Sequence, residues 1–229
     1  MLLRIGLSRE RLPQAAMRNI HQAVPNRTSP RGERVVTIMK KLNAFALAVS
    51  KILEVLHWAG TAAFLALFVL SLVSKDWLCS FLAQGLPAYG TTMAAYGFEL
   101  SVVGPDGTIN AAAITLFSIG AALIFSMLSM IFRNVYLIFK TAKGKTWFSQ
   151  GGTPFQKDIT RMVREIGIFY LAVPIIGLIL STAARLVLGP DGAEINVSME
   201  GFVVGILLLC LSQVFAYGTR LEGDVDGLV

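Results

Sequence analysis

Four stretches of this chain, Val55–Val73, Ala111–Phe132, Gly167–Leu188 and Gly201–Tyr217, are apolar over close to the length that crosses a lipid bilayer. A hydrocarbon core about 30 Å thick takes roughly 20 residues of α-helix. The middle of each stretch carries no charge. Arg185 stands near the end of the third, where a long side chain can reach the headgroups. Isolated strands would leave backbone amides and carbonyls unpaired in lipid, so the stretches must be helices. Composition agrees: 55% of the 229 residues are hydrophobic and 15% are charged, with mean hydropathy +0.65, against about 25% charged in soluble domains. The excess apolar surface needs lipid to face. The expected fold is an all-α membrane protein, four transmembrane helices in one bundle.

Basic residues orient the bundle. The segment Arg133–Ile166 between spans two and three holds seven Lys/Arg, and ten precede span one. The segment Ser74–Asn110 holds only Lys75 against Asp76, Glu99 and Asp106, and Gly189–Glu200 holds Asp191, Glu194 and Glu200 with no base. Loops rich in Lys and Arg stay in the cytoplasm, which puts both termini and the middle loop inside.

Residues 1–38 differ from the rest, with seven arginines, two acids, three prolines and no sustained apolar run. Without such a run they are no secretory signal. Three readings stand: a disordered basic arm, a targeting peptide, or a misassigned start with translation beginning at Met39-Lys40-Lys41. The membrane domain is then 39–229.

Gly104-Pro105-Asp106-Gly107-Thr108-Ile109-Asn110 before span two and Gly189-Pro190-Asp191-Gly192-Ala193-Glu194-Ile195-Asn196 before span four form a weak internal repeat. Pro-Asp-Gly is turn chemistry. The flanking residues (Leu100, Val102, Val103 and Ile109; Val187, Leu188, Ile195 and Val197) suggest two short extracytoplasmic β-hairpins, one in each of two similar halves. In the middle loop, Thr153-Pro154-Phe155-Gln156 reads as a helix start, with Thr at N-cap and Gln at the capping-box position. Phe155, Ile159, Met162, Val163 and Ile166 then share one face, the pattern of an amphipathic helix lying at the cytoplasmic interface.

Chemistry-bearing motifs are few. Gly144-Lys145-Thr146 matches the end of a phosphate-binding loop, but position 139 is Phe where that motif needs glycine, so a basic loop is the better reading. Lys51, Glu54 and His57 recur on one helix face as ordinary interfacial residues, and no cluster supplies the ligands of a zinc site. No histidine stands ready to activate a serine. The expected set of catalytic, cofactor-binding and metal residues is therefore empty: no enzyme and no cofactor. Transport would call for buried ionisable residues or helices broken at midplane, and Gln213 and Pro174 read more simply as packing features. Cys79 and Cys210 lie at different depths, too far apart to bridge. Gly201 and Gly205, Gly177 and Ser181, and Ser118, Ala122 and Ser126 form small-residue stripes that let helices approach closely. They serve the bundle itself, with a homo-oligomer through the same face as the alternative. Topogenic charge accounts for the basic residues, so direct nucleic-acid binding is not expected.

Two stretches carry a resemblance. One is Phe132-Arg133-Asn134-Val135-Tyr136-Leu137-Ile138-Phe139-Lys140, continued by Thr153-Pro154-Phe155 and Arg161-Met162-Val163-Arg164-Glu165-Ile166-Gly167. The other is the tail from Val214 to Val229. With the four-span layout, Met39 to Val229 resembles the bacterial domain-of-unknown-function family 2975. The middle loop departs from that pattern: Trp147-Phe148 follows Gly144-Lys145-Thr146, and Pro154-Phe155 comes later. The resemblance implies a protein of the bacterial plasma membrane and no catalytic residues. Members are often encoded beside small helix-turn-helix regulators, which implies such a regulator as a cytoplasmic partner. The expected function is a non-enzymatic regulatory or interaction protein whose contact surface is Lys140–Arg164 with Arg220–Val229. The alternative is a small transporter or channel subunit.

Overall fold

A computed structural model describes residues 30–84, 91–104, 106–150, 153–190, 192–195 and 199–226. Most of the basic arm, 1–29, lies outside these, as do Pro105, Asp191 and Asn196 of the repeat. The chain divides into two compact units, Met1–Leu42 and Asn43–Val229. Its elements in order are α1 (Pro30–Val73), α2 (Lys75–Ala83), β1 (Thr92–Ala95), β2 (Phe98–Ser101), α3 (Ala111–Thr141), α4 (Lys157–Leu188) and α5 (Met199–Asp226). Four helices are long and apolar enough to cross a membrane: Thr37–Val73 within α1, α3, α4 and α5 through Val225.

Each helix outruns its apolar stretch. Helix α1 starts well before Val55, because nothing in Lys51–Trp58 breaks it. Asn110 caps α3 by accepting from the amides of Ala112 (3.1 Å) and Ala113 (3.4 Å). The same helix runs past Phe132 to Thr141, where Gly144 at φ +66° reverses the chain. There the Gly144 amide donates to the Thr141 carbonyl (2.9 Å) and the Lys145 amide to the Lys140 carbonyl (3.0 Å), the paired bonds of a Schellman ending. The acidic tail is helical as far as Asp226.

The middle-loop helix differs from expectation. Thr153 is not its N-cap and Gln156 is not its third residue. Helix α4 begins at Lys157 with Gln156 as N-cap residue and runs unbroken into the third apolar stretch. Its expected apolar face is buried, but against protein: Ile159, Met162 and Val163 pack on Leu137, Ile138, Ala142, Phe148 and Phe215. Phe155 lies before the helix and rests on α5.

Helix α3 is the spine. Over half of its most apolar window is buried (56%), against 17% for α1 and 11% for α5. The strands pair antiparallel, Thr92 opposite Ser101 and Ala95 opposite Phe98, and the hairpin enters the core: Phe98, Leu100 and Val102 have no exposed surface. Phe98 stacks on Phe117 (5.9 Å between centroids) and fills the space left by Gly120. This hairpin lies ahead of the one expected from the turn string. Val103 and Ile109 do form an isolated bridge, but Val187 and Leu188 are helical, and Ala193 bridges to Leu100 instead of forming a second hairpin. Both repeat copies close the same hydrogen bond, Gly107 donating to Gly104 (3.0 Å) and Gly192 to Gly189 (3.2 Å), but the positive φ falls on the last glycine of the first, Gly107, and on the first glycine of the second, Gly189. In the first, Asp106 accepts from the Thr108 hydroxyl and amide, which holds its carboxyl below the ordinary carboxylate range.

The two halves pack differently. Ser71 near the end of α1 meets Thr115 in the first turns of α3 (3.0 Å), and Phe125 covers Gly60, so α1 and α3 lie level. Helix α5 starts far lower beside α4: Gly201 sits against Pro174, Gly205 against Leu171 and the Gly167 carbonyl, and Gly218 under Phe155. The end of α4 therefore projects about 20 Å beyond the start of α5.

Small residues at the α4–α5 seam permit this approach, and α4 occupies the face of α5 that carries Gly201 and Gly205. Gly177, expected in the same role, has nothing within 4 Å of where a methyl would stand. Gly205→Leu should cost about 1–3 kcal/mol by forcing α5 off α4. Gly177→Ala should be neutral or stabilising by up to about 1 kcal/mol. Thermal unfolding of both variants in detergent distinguishes the seam from a merely glycine-rich sequence.

Candidate functional site

The hairpin turns on two residues, Tyr96 (φ 49°) and Gly97 (φ 85°), both left-handed, as a two-residue turn of the twist-matched type requires. Glycine adopts that conformation freely. For tyrosine it costs roughly 1 kcal/mol, so the side chain must be held by something. Its hydroxyl lies 3.0 Å from His57 Nε2, and His57 Nδ1 lies 2.7 Å from the Leu53 carbonyl oxygen. A carbonyl only accepts, so Nδ1 donates to Leu53, and Nε2 shares the second hydrogen bond with the Tyr96 hydroxyl. The imidazole is ringed by Phe132 (5.1 Å), Phe125 (5.4 Å) and Tyr96 (6.2 Å).

His57, read from the sequence as interfacial, is thus buried, with 7% of its surface exposed, and so is Glu54 one turn below it. Glu54 pairs with Lys51 at 3.0 Å. Lys51 in turn lies 5.4 Å from the Tyr136 ring, with Lys140 5.7 Å from the same ring. Asn134, also buried, donates to Glu165 (3.0 Å). These residues form a polar layer across α1, α3 and α4, just below the hairpin tip.

Beside the tip is a cavity of about 460 Å³ between α3, α4 and the first turn of α5. Leu128, Phe132, Tyr170, Val173, Pro174 and Val204 give it apolar walls, with Tyr96, Gly97, Glu200 and Gly201 closing it. Among the described residues the ion pairs are Lys51–Glu54, Arg161–Asp158 and Arg161–Glu165, so Glu200 faces the cavity without a cation. No group of three metal-ligating side chains occurs among the described residues.

A second feature lies where α3 and α4 are joined. Gln156 is 1% exposed. Its amide donates to the Thr153 carbonyl (2.6 Å) and its oxygen accepts from the Gln150 amide (2.9 Å). Ser149 donates to the Thr141 carbonyl (3.0 Å). Thr153 donates to Glu222 of α5 (3.1 Å), and Phe155 packs on Phe215 and over Gly218. Out of this stapled loop stands Trp147, 95% exposed, flanked by exposed Lys143 and Lys145. The Gly-Lys-Thr string serves as the helix ending described above.

No site residue was expected from the sequence, and the cavity residues carry no linear motif. Tyr96 and His57 are 39 positions apart. The one local signal was the alternation Phe98, Leu100, Val102, which marks a half-buried strand. Comparison with protein families, with curated proteins and with solved structures finds no match.

The His57–Tyr96 bond is what restrains the strained turn. Tyr96→Phe should destabilise the protein by about 1 kcal/mol. The same change made together with His57→Phe should add much less, a coupling of about 0.5–1 kcal/mol in a double-mutant cycle read by chemical or thermal unfolding.

Proposed function

We propose that this is a non-enzymatic protein of a bacterial plasma membrane, multi-pass with both termini in the cytoplasm, that engages a cytoplasmic protein through the 141–156 loop and the end of α5. The observation that carries the reading is Trp147: a large aromatic side chain held almost wholly in solvent by a loop that the Gln156 and Ser149 side chains tie internally. Binding hot spots favour tryptophan on rigid supports, because little conformational entropy is lost on docking. Lys143 and Lys145 beside it favour an acidic partner surface. The seven basic residues of Arg133–Ile166 against one in Ser74–Asn110 support the cytoplasmic assignment. The resemblance to family 2975 suggests a helix-turn-helix regulator as the partner.

Trp147→Ala should abolish recovery of that partner from cross-linked membranes and leave thermal stability unchanged, since the ring touches only Phe148 edge-on. Identical partner sets for wild type, Trp147→Ala and a chain truncated before Arg220 would remove the proposal. The cavity supports a second reading, a small transporter or channel subunit. Solute flux into liposomes no faster than into empty controls would dispose of it.

A further inference from the structure

We infer that the cavity at the hairpin tip is a binding site for a small lipophilic organic cation, an amine or quaternary onium with apolar substituents. The volume, about 460 Å³, falls within the range of roughly 300–1,000 Å³ usual for small-molecule sites. Leu128, Val173, Pro174 and Val204 supply dispersion surface, and Phe132, Tyr170 and Tyr96 supply aromatic rings. The cavity's formal charge is the Glu200 carboxylate; no Lys, Arg or His lines it.

These features select for charge as well as shape. The Glu200 carboxylate disfavours an anion by repulsion and offers an uncharged acyl chain no partner. The amides in the first turn of α5 add about half a positive charge at that helix end, less than the full negative charge of Glu200. A cation with apolar groups satisfies every wall: its charge meets Glu200 and the ring faces, and its substituents fill the space between Leu128 and Val204. Gly97 and Gly201 keep the mouth open, since neither projects a side chain into it.

Tetraphenylphosphonium and tetraphenylborate, nearly equal in size and opposite in charge, are the probes. Binding to the purified full chain in detergent is measured by equilibrium dialysis against protein-free micelles. Tetraphenylphosphonium should bind saturably at one site per chain and tetraphenylborate should not. Glu200→Gln, isosteric and at an exposed position, should weaken the phosphonium roughly tenfold. Val204→Phe, which fills the cavity from the exposed side of α5, should abolish it. Thermal unfolding checks that each variant is folded; if either is not, the other variant and the two-probe contrast decide. Absence of saturable phosphonium binding, equal binding of the borate, or unchanged affinity in either folded variant overturns the assignment.

Discussion

Backbone polar groups have to be paired wherever water is excluded, and here a β-hairpin lies among helices of membrane length. Each buried amide left without a partner costs about 1–3 kcal/mol. Strand β2 is consequently paired on both sides. One edge carries β1, and on the other the Ser101 amide donates to Gly192 (3.0 Å) while Leu100 bridges Ala193. Val102 is fixed at both polar atoms, its amide donating to Thr91 (2.9 Å) and its carbonyl accepting from Asn110 (2.8 Å). With these groups satisfied, the inward face can be wholly apolar, and Phe98, Leu100 and Val102 complete the surface of α3. The outer face is different. Among the described residues β1 has no second partner strand, and Thr92 and Ala94 are exposed. Lipid cannot satisfy such an edge.

The hairpin also explains why α5 lies low. The hairpin and the segment after Leu188 fill the space beside the far half of α4, where a fourth full-length helix would otherwise pack. Helix α5 begins only where the hairpin ends, so Gly97 and Gly201 share one cavity above Pro174. Two chain segments meeting end to end leave a gap that side-by-side packing would close. The α4–α5 seam then runs along the more polar half of α4, from Pro174 back to its start at Lys157. Helix α4 is about 48 Å long at 32 residues, longer than a 30 Å hydrocarbon core. The apolar stretches of α1, α3 and α4 share one level, and that of α5 is displaced toward the 141–156 loop.

The sequence made the helices legible because hydropathy over a long window needs no knowledge of neighbours. The Gly-Pro-Asp-Gly turns were local enough to be read as well. What escaped was set by tertiary contact. Lys51, Glu54 and His57 recur at a spacing equally suited to a headgroup-facing stripe; Tyr96, contributed by the hairpin, meets His57 on the inner side, and Glu54 is buried below it while Lys51 stays exposed. The Tyr96-Gly97 turn lacks the Asn-Gly or Asp-Gly signature, since a contact with His57 holds it where local preference does not. Gln156 occupied a capping-box position in the string, yet its side chain turns back to staple the loop, a choice made by the Thr153 carbonyl and the Gln150 amide. The two repeat copies share a closing hydrogen bond and diverge in packing, because one precedes a helix level with its neighbour and the other a helix displaced by the hairpin.

Helix α5 touches both the cavity and the stapled loop, as α3 and α4 also do. Glu200 and Val204 line the cavity, and Phe215, Gly218 and Glu222 hold the loop. Between them runs a continuous helix, whose rigidity along its axis exceeds that of any side-chain chain of contacts. Its seam with α4 is interlocked, with Leu171 seated against Gly205, Leu209 against Gly167 and Pro174 against Gly201, and with no ion pair or side-chain hydrogen bond across it among the described residues. Such interlocking opposes both separation and axial sliding, and Thr153–Glu222 and the Phe155 ring add restraint at the loop end. An occupant of the cavity would act on the loop only if it favoured one axial position of α5 over another, because a ligand shifts an equilibrium by no more than its difference in affinity for the two states. The place to look for that difference is the Thr153–Glu222 bond, a 3.1 Å polar contact between the loop and α5. An axial shift of a single helical residue, about 1.5 Å, would stretch that bond, while the Gln156 and Ser149 bonds keep the rest of the loop, and Trp147 with it, in place.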